Sequence, residues 1–94
     1  MSVARIAIFD PAPVLQADDD RRAQSLRELL RSLPGFMAGY HLREEGTGRL
    51  IDLTVWESEA ALEAAEQAVR DRPVSDQRGI RPTRIERWIV DSAF

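Results

Sequence analysis

A chain of 94 residues hides only about 60 to 65% of its unfolded surface, so it is expected to form one small domain, residues 1–94, that needs help beyond its own core. The absence of cysteine excludes disulfides, thiolate zinc sites and a cysteine nucleophile, which leaves oligomerisation as the available support. A net charge of -3, with 13 basic residues that are all arginine, creates no field that draws the chain to nucleic acid or to an anionic membrane.

Val3 to Phe9 is short and rich in β-branched residues, and it is bounded by Asp10-Pro11-Ala12-Pro13; it reads as a strand followed by a loop. The stretch is too short for a signal-peptide core and nothing later approaches a membrane span, so a soluble cytoplasmic protein is expected. Asp18, Asp19 and Asp20 read as a helix cap rather than a metal site. Apolar residues then recur at Ala23, Leu26, Leu29, Leu30 and Leu33, and Pro34-Gly35 ends the helix. Phe36 to Arg43 and Leu50 to Trp56 form two extended runs around the glycine-bearing turn EEGTGR. Ser58 caps a second helix with an inner stripe of Ala61, Leu62, Ala65, Ala68 and Val69, and Glu59, Glu63 and Glu66 on its polar side. PVSDQRGIRP is a loop whose arginines are solvent-facing or clamp an anionic substrate, and Arg84 to Val90 is the last strand. The order is β-α-β-β-α-β: an α+β, ferredoxin-like fold with a four-stranded antiparallel sheet and both helices on one face.

Strand alternation then sorts side chains into rows. In the third strand Ile51, Leu53 and Val55 make a wholly apolar row, which is expected to lie under the helices. The other row, Leu50, Asp52, Thr54 and Trp56, then faces outward. A four-residue loop, Glu45 to Gly48, pairs Arg43 with Leu50 and His41 with Asp52. The open face is thus expected to carry Phe9, Met37, Leu50 and Trp56 together with Arg5, His41, Arg43, Asp52 and Thr54, while the facing of the last strand stays open. Such a face is too apolar to leave wet. Two copies packing face to face would cover it and leave each a concave pocket for a small molecule.

LPGF at the start of the second strand, followed by GRLIDLTVWESEAAL, resembles the antibiotic biosynthesis monooxygenase superfamily of dimeric α+β barrels over about residues 33 to 69. The resemblance implies a homodimer and a cofactor-free monooxygenase acting on a quinol-, anthrone- or polyketide-like molecule. In anthrone-oxidising relatives a tryptophan matched by Trp56 lines the cavity, with an asparagine where this chain has Asp52 and a tyrosine where it has Leu62. The haem-degrading branch needs a histidine where Glu66 stands, so haem is set aside.

In the chemistry so implied, His41 is the base, Asp52 orients it, and Trp56 completes the catalytic set. Arg43 or Arg5 holds an enolate oxygen, with Thr54, Met37, Leu50 and Phe9 as the rest of the binding surface. No metal or cofactor is called for. Two rival readings are a satisfied polar pair at a subunit interface and a non-catalytic dimeric barrel that binds a small ligand. An RNA-binding sheet is disfavoured by the acidic, tyrosine-poor composition.

Overall fold

Each element ends where the sequence gives a chemical reason. The computed structural model describes residues 1–73 and 80–94, so part of the PVSDQRGIRP loop, with its Arg78, lies outside the described residues. The elements are β1 (Val3–Phe9), α1 (Asp19–Ser32), β2 (Phe36–Arg43), β3 (Leu50–Trp56), α2 (Glu59–Arg70) and β4 (Arg84–Ile89). Leu33 closes α1 in an extended conformation, φ -83° and ψ 144°, which its following proline demands. Gly35 has φ +83°, and a Cβ there would sit 2.5 Å from that of Ala61, so the turn both needs glycine's backbone and lets α2 approach. Ser58 caps α2 by accepting from the Ala61 N–H at 3.1 Å.

The aspartate run behaves differently from the expected cap. Asp18 holds the cap position without a side-chain cap bond, and Asp19 Oδ2 instead accepts from the Gln16 N–H at 2.5 Å. Asp19 and Asp20 remain in the first turn, where the helix dipole favours acids.

The sheet is antiparallel in the order β2-β3-β1-β4. Its hairpin has the register the loop length predicts, Arg43 opposite Leu50 and His41 opposite Asp52, with Gly46 and Gly48 at positive φ. Phe9, Ala7 and Arg5 stand opposite Leu50, Asp52 and Thr54, so the row memberships also hold.

Which side each row faces is reversed. Trp56 is 1% exposed and packs with Val3 and with Leu62 and Ala65 of α2, so Leu50, Asp52, Thr54 and Trp56 look toward the helices. Arg5 lies on that side too, its Nε 3.8 Å from Glu66 of α2. Ile51, Leu53 and Val55 therefore line the helix-free face with Tyr40 and Leu42. The physical reason is that α2 turns Glu66 toward the sheet, where Arg5 meets it, and that Trp56 fills the core beside Leu62; a wholly apolar row would leave that carboxylate without its cation.

In β2 a bulge adds a second reason. Phe36 pairs with Trp56 and Ala38 with Val55, which leaves Met37 as the extra residue and shifts the alternation by one. Phe36 faces the helices, and past the bulge so do Gly39, His41 and Arg43, contrary to the open-face placement of His41 and Arg43, while Tyr40 and Leu42 do not. A Cβ on Gly39 would lie 3.3 Å from the Phe36 ring, on the same side.

The facing of β4, undecided in the sequence, follows from its register. Arg87 stands opposite Arg5 and reaches Glu59 at 3.6 Å, Glu63 at 3.8 Å and Glu66 more closely. Those glutamates are thus ion-paired to the sheet rather than simply solvated. Arg84, Glu86 and Trp88 look out from the helix-free face.

Candidate functional site

Helix α1 buries none of its residues completely, because Ala23 and Leu26 on its inner side face a cavity of about 210 Å³ instead of packed side chains. Phe9, His41, Leu50 and Asp52 form the sheet wall. Asp19, Asp20, Arg22 and Arg27 join Ala23 and Leu26 on the helix wall, while Pro13, Leu15, Arg72 and Ile80 border the rest. The site is therefore a cleft between one chain's own helix and sheet, open to solvent on one side, rather than a patch on the helix-free face.

Its central feature joins β2 to β3. His41 Nδ1 lies 2.5 Å from Asp52 Oδ1, a direct consequence of the cross-strand register. With the carboxylate accepting from Nδ1–H, Nε2 keeps its lone pair and can take a proton. The two side chains are 44% and 43% exposed, and a pair so exposed contributes about 0 to 1 kcal/mol to stability. Its geometry fixes the imidazole more than it strengthens the fold.

On the opposite wall, Arg22 Nη1 lies 3.6 Å from Asp19 Oδ1, while the Arg22 Nε is buried without an acceptor. Among the described residues no cluster of three or more acidic, histidine or cysteine side chains is placed to hold a metal ion, and no helix is long and apolar enough to cross a membrane.

Of the nine residues singled out from the sequence, Phe9, His41, Leu50 and Asp52 are brought together here. The others stand elsewhere. Trp56 is in the core, edge-to-face with Phe36 at a centroid distance of 5.4 Å, and its indole N–H donates to Thr54 Oγ1 at 3.0 Å. Thr54 is thereby engaged with the tryptophan. Arg5 is committed to Glu66, Met37 accepts from the Ser2 hydroxyl at the bulge, and Arg43 is exposed at the hairpin end. The helix wall was missed because Asp19 and Asp20 were accounted for by capping. The available signal was that Arg22 and Arg27 flank the apolar stripe of α1.

No protein-family model matches the sequence, and no curated protein is found to match it. Solved structures do. A heme-degrading protein from Mycobacterium tuberculosis, Rv3592, is 19% identical with a TM-score of 0.69, covering 100% of this chain and 99% of that one. A provisionally named antibiotic biosynthesis monooxygenase from Chloroflexus aurantiacus is 15% identical with a TM-score of 0.70, covering 100% and 97%. SnoaB, a cofactor-independent oxygenase from Streptomyces nogalater, in a point-mutant form, is 16% identical with a TM-score of 0.68, covering 98% and 95%. Glu66, where the resemblance puts a haem ligand, is a carboxylate held by Arg5 and Arg87, so the residues here do not fit haem. At identities of 15 to 19% these likenesses establish architecture alone: the chain shares with these structures a fold of one four-stranded antiparallel sheet and two helices in the order β-α-β-β-α-β.

Proposed function

We propose that the chain is a cofactor-independent monooxygenase for a quinol- or anthrone-type aromatic molecule bound between α1 and the sheet. The observation that carries this is the 2.5 Å His41–Asp52 contact in the wall of a cavity with apolar side chains on both faces. His41 Nε2 removes the acidic proton of the substrate, and Asp52 stabilises the imidazolium that forms. The carbanion gives one electron to dioxygen, the radical pair combines at carbon, and the hydroperoxide loses water. One oxygen atom stays in the product as a carbonyl and the other leaves as water, so the substrate supplies both electrons and no cofactor is consumed. Apolar contacts from Phe9, Leu26 and Leu50 hold the ring and displace water around it.

The reading includes a homodimer. Tyr40 and Trp88 are each 57% exposed on a helix-free face that also carries Leu42, Ile51, Leu53 and Val55, with Arg84 and Glu86 along its β4 edge, and a surface so largely apolar is covered in a stable protein. A second copy covers it without touching the cavity. Sedimentation of the wild type is expected to give a dimer and of Leu53→Glu a monomer.

The deciding experiment is oxygen uptake with 1,4-dihydroxynaphthalene, a two-ring quinol of the size the cavity admits, with product formation followed in parallel. Equimolar oxygen and substrate consumption that His41→Ala abolishes is expected. A second reading, a non-catalytic ligand binder, is favoured by the exposure of the His41–Asp52 pair, and binding without oxygen uptake would establish it.

A further inference from the structure

The helix wall of the cavity carries two arginines on either side of Ala23 and Leu26, and neither is fully matched. Arg22 has a buried Nε with no acceptor, and its ion pair with Asp19 uses the other end of the guanidinium. Among the described residues no carboxylate lies within ion-pair reach of Arg27, which sits past the middle of α1, away from either end of the helix dipole.

The acids of the same cavity are better provided for. Asp19 takes Arg22 and the Gln16 N–H, Asp52 takes His41, and Asp20 lies in the first turn of the helix, where the dipole offsets its charge. The groups still short of a partner are therefore donors. A ligand acceptor beside them makes charge-assisted bonds, the strong kind, and a planar guanidinium suits a carboxylate in particular.

Size sets a second bound. An apolar cavity of roughly 150 Å³ accommodates benzene. About 210 Å³ thus admits a substituted ring or a fused pair, not a long polyketide chain.

We propose that the cavity takes a compact aromatic molecule bearing a carboxylate, the acid group held by Arg27 and Arg22 of α1 and the ring hydroxyl turned to His41. This rests on the reading that the cavity is the binding site, and it narrows the substrate class from neutral quinols to hydroxyaryl acids.

Calorimetric titration of the full chain, at one fixed pH, with 5-hydroxy-1-naphthoate, whose acid and hydroxyl stand on opposite sides of the ring pair, and with 1-naphthol, which lacks the acid, separates the two. Neither probe is oxidised readily, so turnover does not enter. The wild type is expected to bind the acid about ten- to a hundredfold more tightly, the usual strength of a hydrogen bond to a charged group. Arg27→Gln, at an exposed helix position glutamine tolerates, is expected to remove most of that preference, weakening the acid far more than 1-naphthol. Arg27→Lys is expected to restore part of it. Equal affinity of the wild type for both probes, or a preference unmoved by Arg27→Gln, overturns the proposal while the cavity and its base stand. Failure of both probes to bind overturns the proposal and the cavity reading together. Preferential binding of the acid with no oxygen uptake from any hydroxyaryl substrate upholds the ligand class and sinks the oxygenase.

Discussion

Phe36 and His41 point to the same side of the sheet although they lie five positions apart along one strand. In a regular strand an odd spacing puts side chains on opposite faces; here Met37 is the extra residue of a bulge, and the alternation slips by one. The consequence is functional. The slip lets a strand that begins with a core aromatic under α2 also deliver an imidazole to the cavity under α1.

Asp52 acts through His41, so its replacement tests positioning. Asp52→Asn is expected to lower kcat for oxygen uptake by about ten- to a hundredfold with little change in KM, because the amide no longer holds the imidazole in place or offsets the charge it gains on taking the proton. Stability by urea denaturation changes by less than about 1 kcal/mol, as for other exposed pairs. An unchanged kcat would remove Asp52 from the mechanism.

Trp56 is expected to matter for stability. Its ring fills the space between Phe36, Val3 and Leu62, so Trp56→Ala costs about 3 to 5 kcal/mol. Trp56→Phe retains most of the packing but leaves the Thr54 hydroxyl without its indole donor, and is milder. Denaturant midpoints measure both. A fully stable Trp56→Ala would place the core elsewhere.

The glutamates of α2 are predicted to be unequal. Glu66 is the one both Arg5 and Arg87 reach, so Glu66→Ala leaves two guanidiniums without it and costs about 1 to 3 kcal/mol. Glu63→Ala, on the exposed side of the same helix, changes stability by less than about 0.5 kcal/mol. Thermal unfolding of the two variants gives the comparison.

At the hairpin, hydrogen bonds from Thr47 and then Arg49, together with the arginine's charge, hold the Glu44 carboxyl below its ordinary value of 4.5. A depressed acid contributes stability that is present above about 4.5 and lost as pH falls through its folded-state value. Carbon-detected NMR titration is expected to show Glu44 protonating below the ordinary range, and Thr47→Ala to raise it. A Glu44 that titrates normally would contradict the turn geometry.

Much of the fold was legible because local chemistry set it. Pro34, the hairpin glycines and Ser58 fixed the boundaries, and the loop length fixed the register that joins His41 to Asp52. Facing was not legible, for a reason particular to these residues. The rule that the most apolar row goes inward presumes helices with apolar inner faces, whereas Glu66 on α2 and Asp19 and Arg22 on α1 turn toward the sheet. Ile51, Leu53 and Val55 were consequently assigned to the wrong layer, and the cavity's helix wall went unseen. The bulge at Met37 leaves no mark in the sequence that a regular strand would not also show.

The central claim is that the binding site lies under α1 and not on the helix-free face, and ligand-induced NMR shifts test it directly. Titration with 1-naphthol is predicted to move the His41 ring and the Ala23 and Leu26 methyl signals while Tyr40 and Trp88 stay put. Shifts at Tyr40 and Trp88, with His41, Ala23 and Leu26 unmoved, would contradict the account.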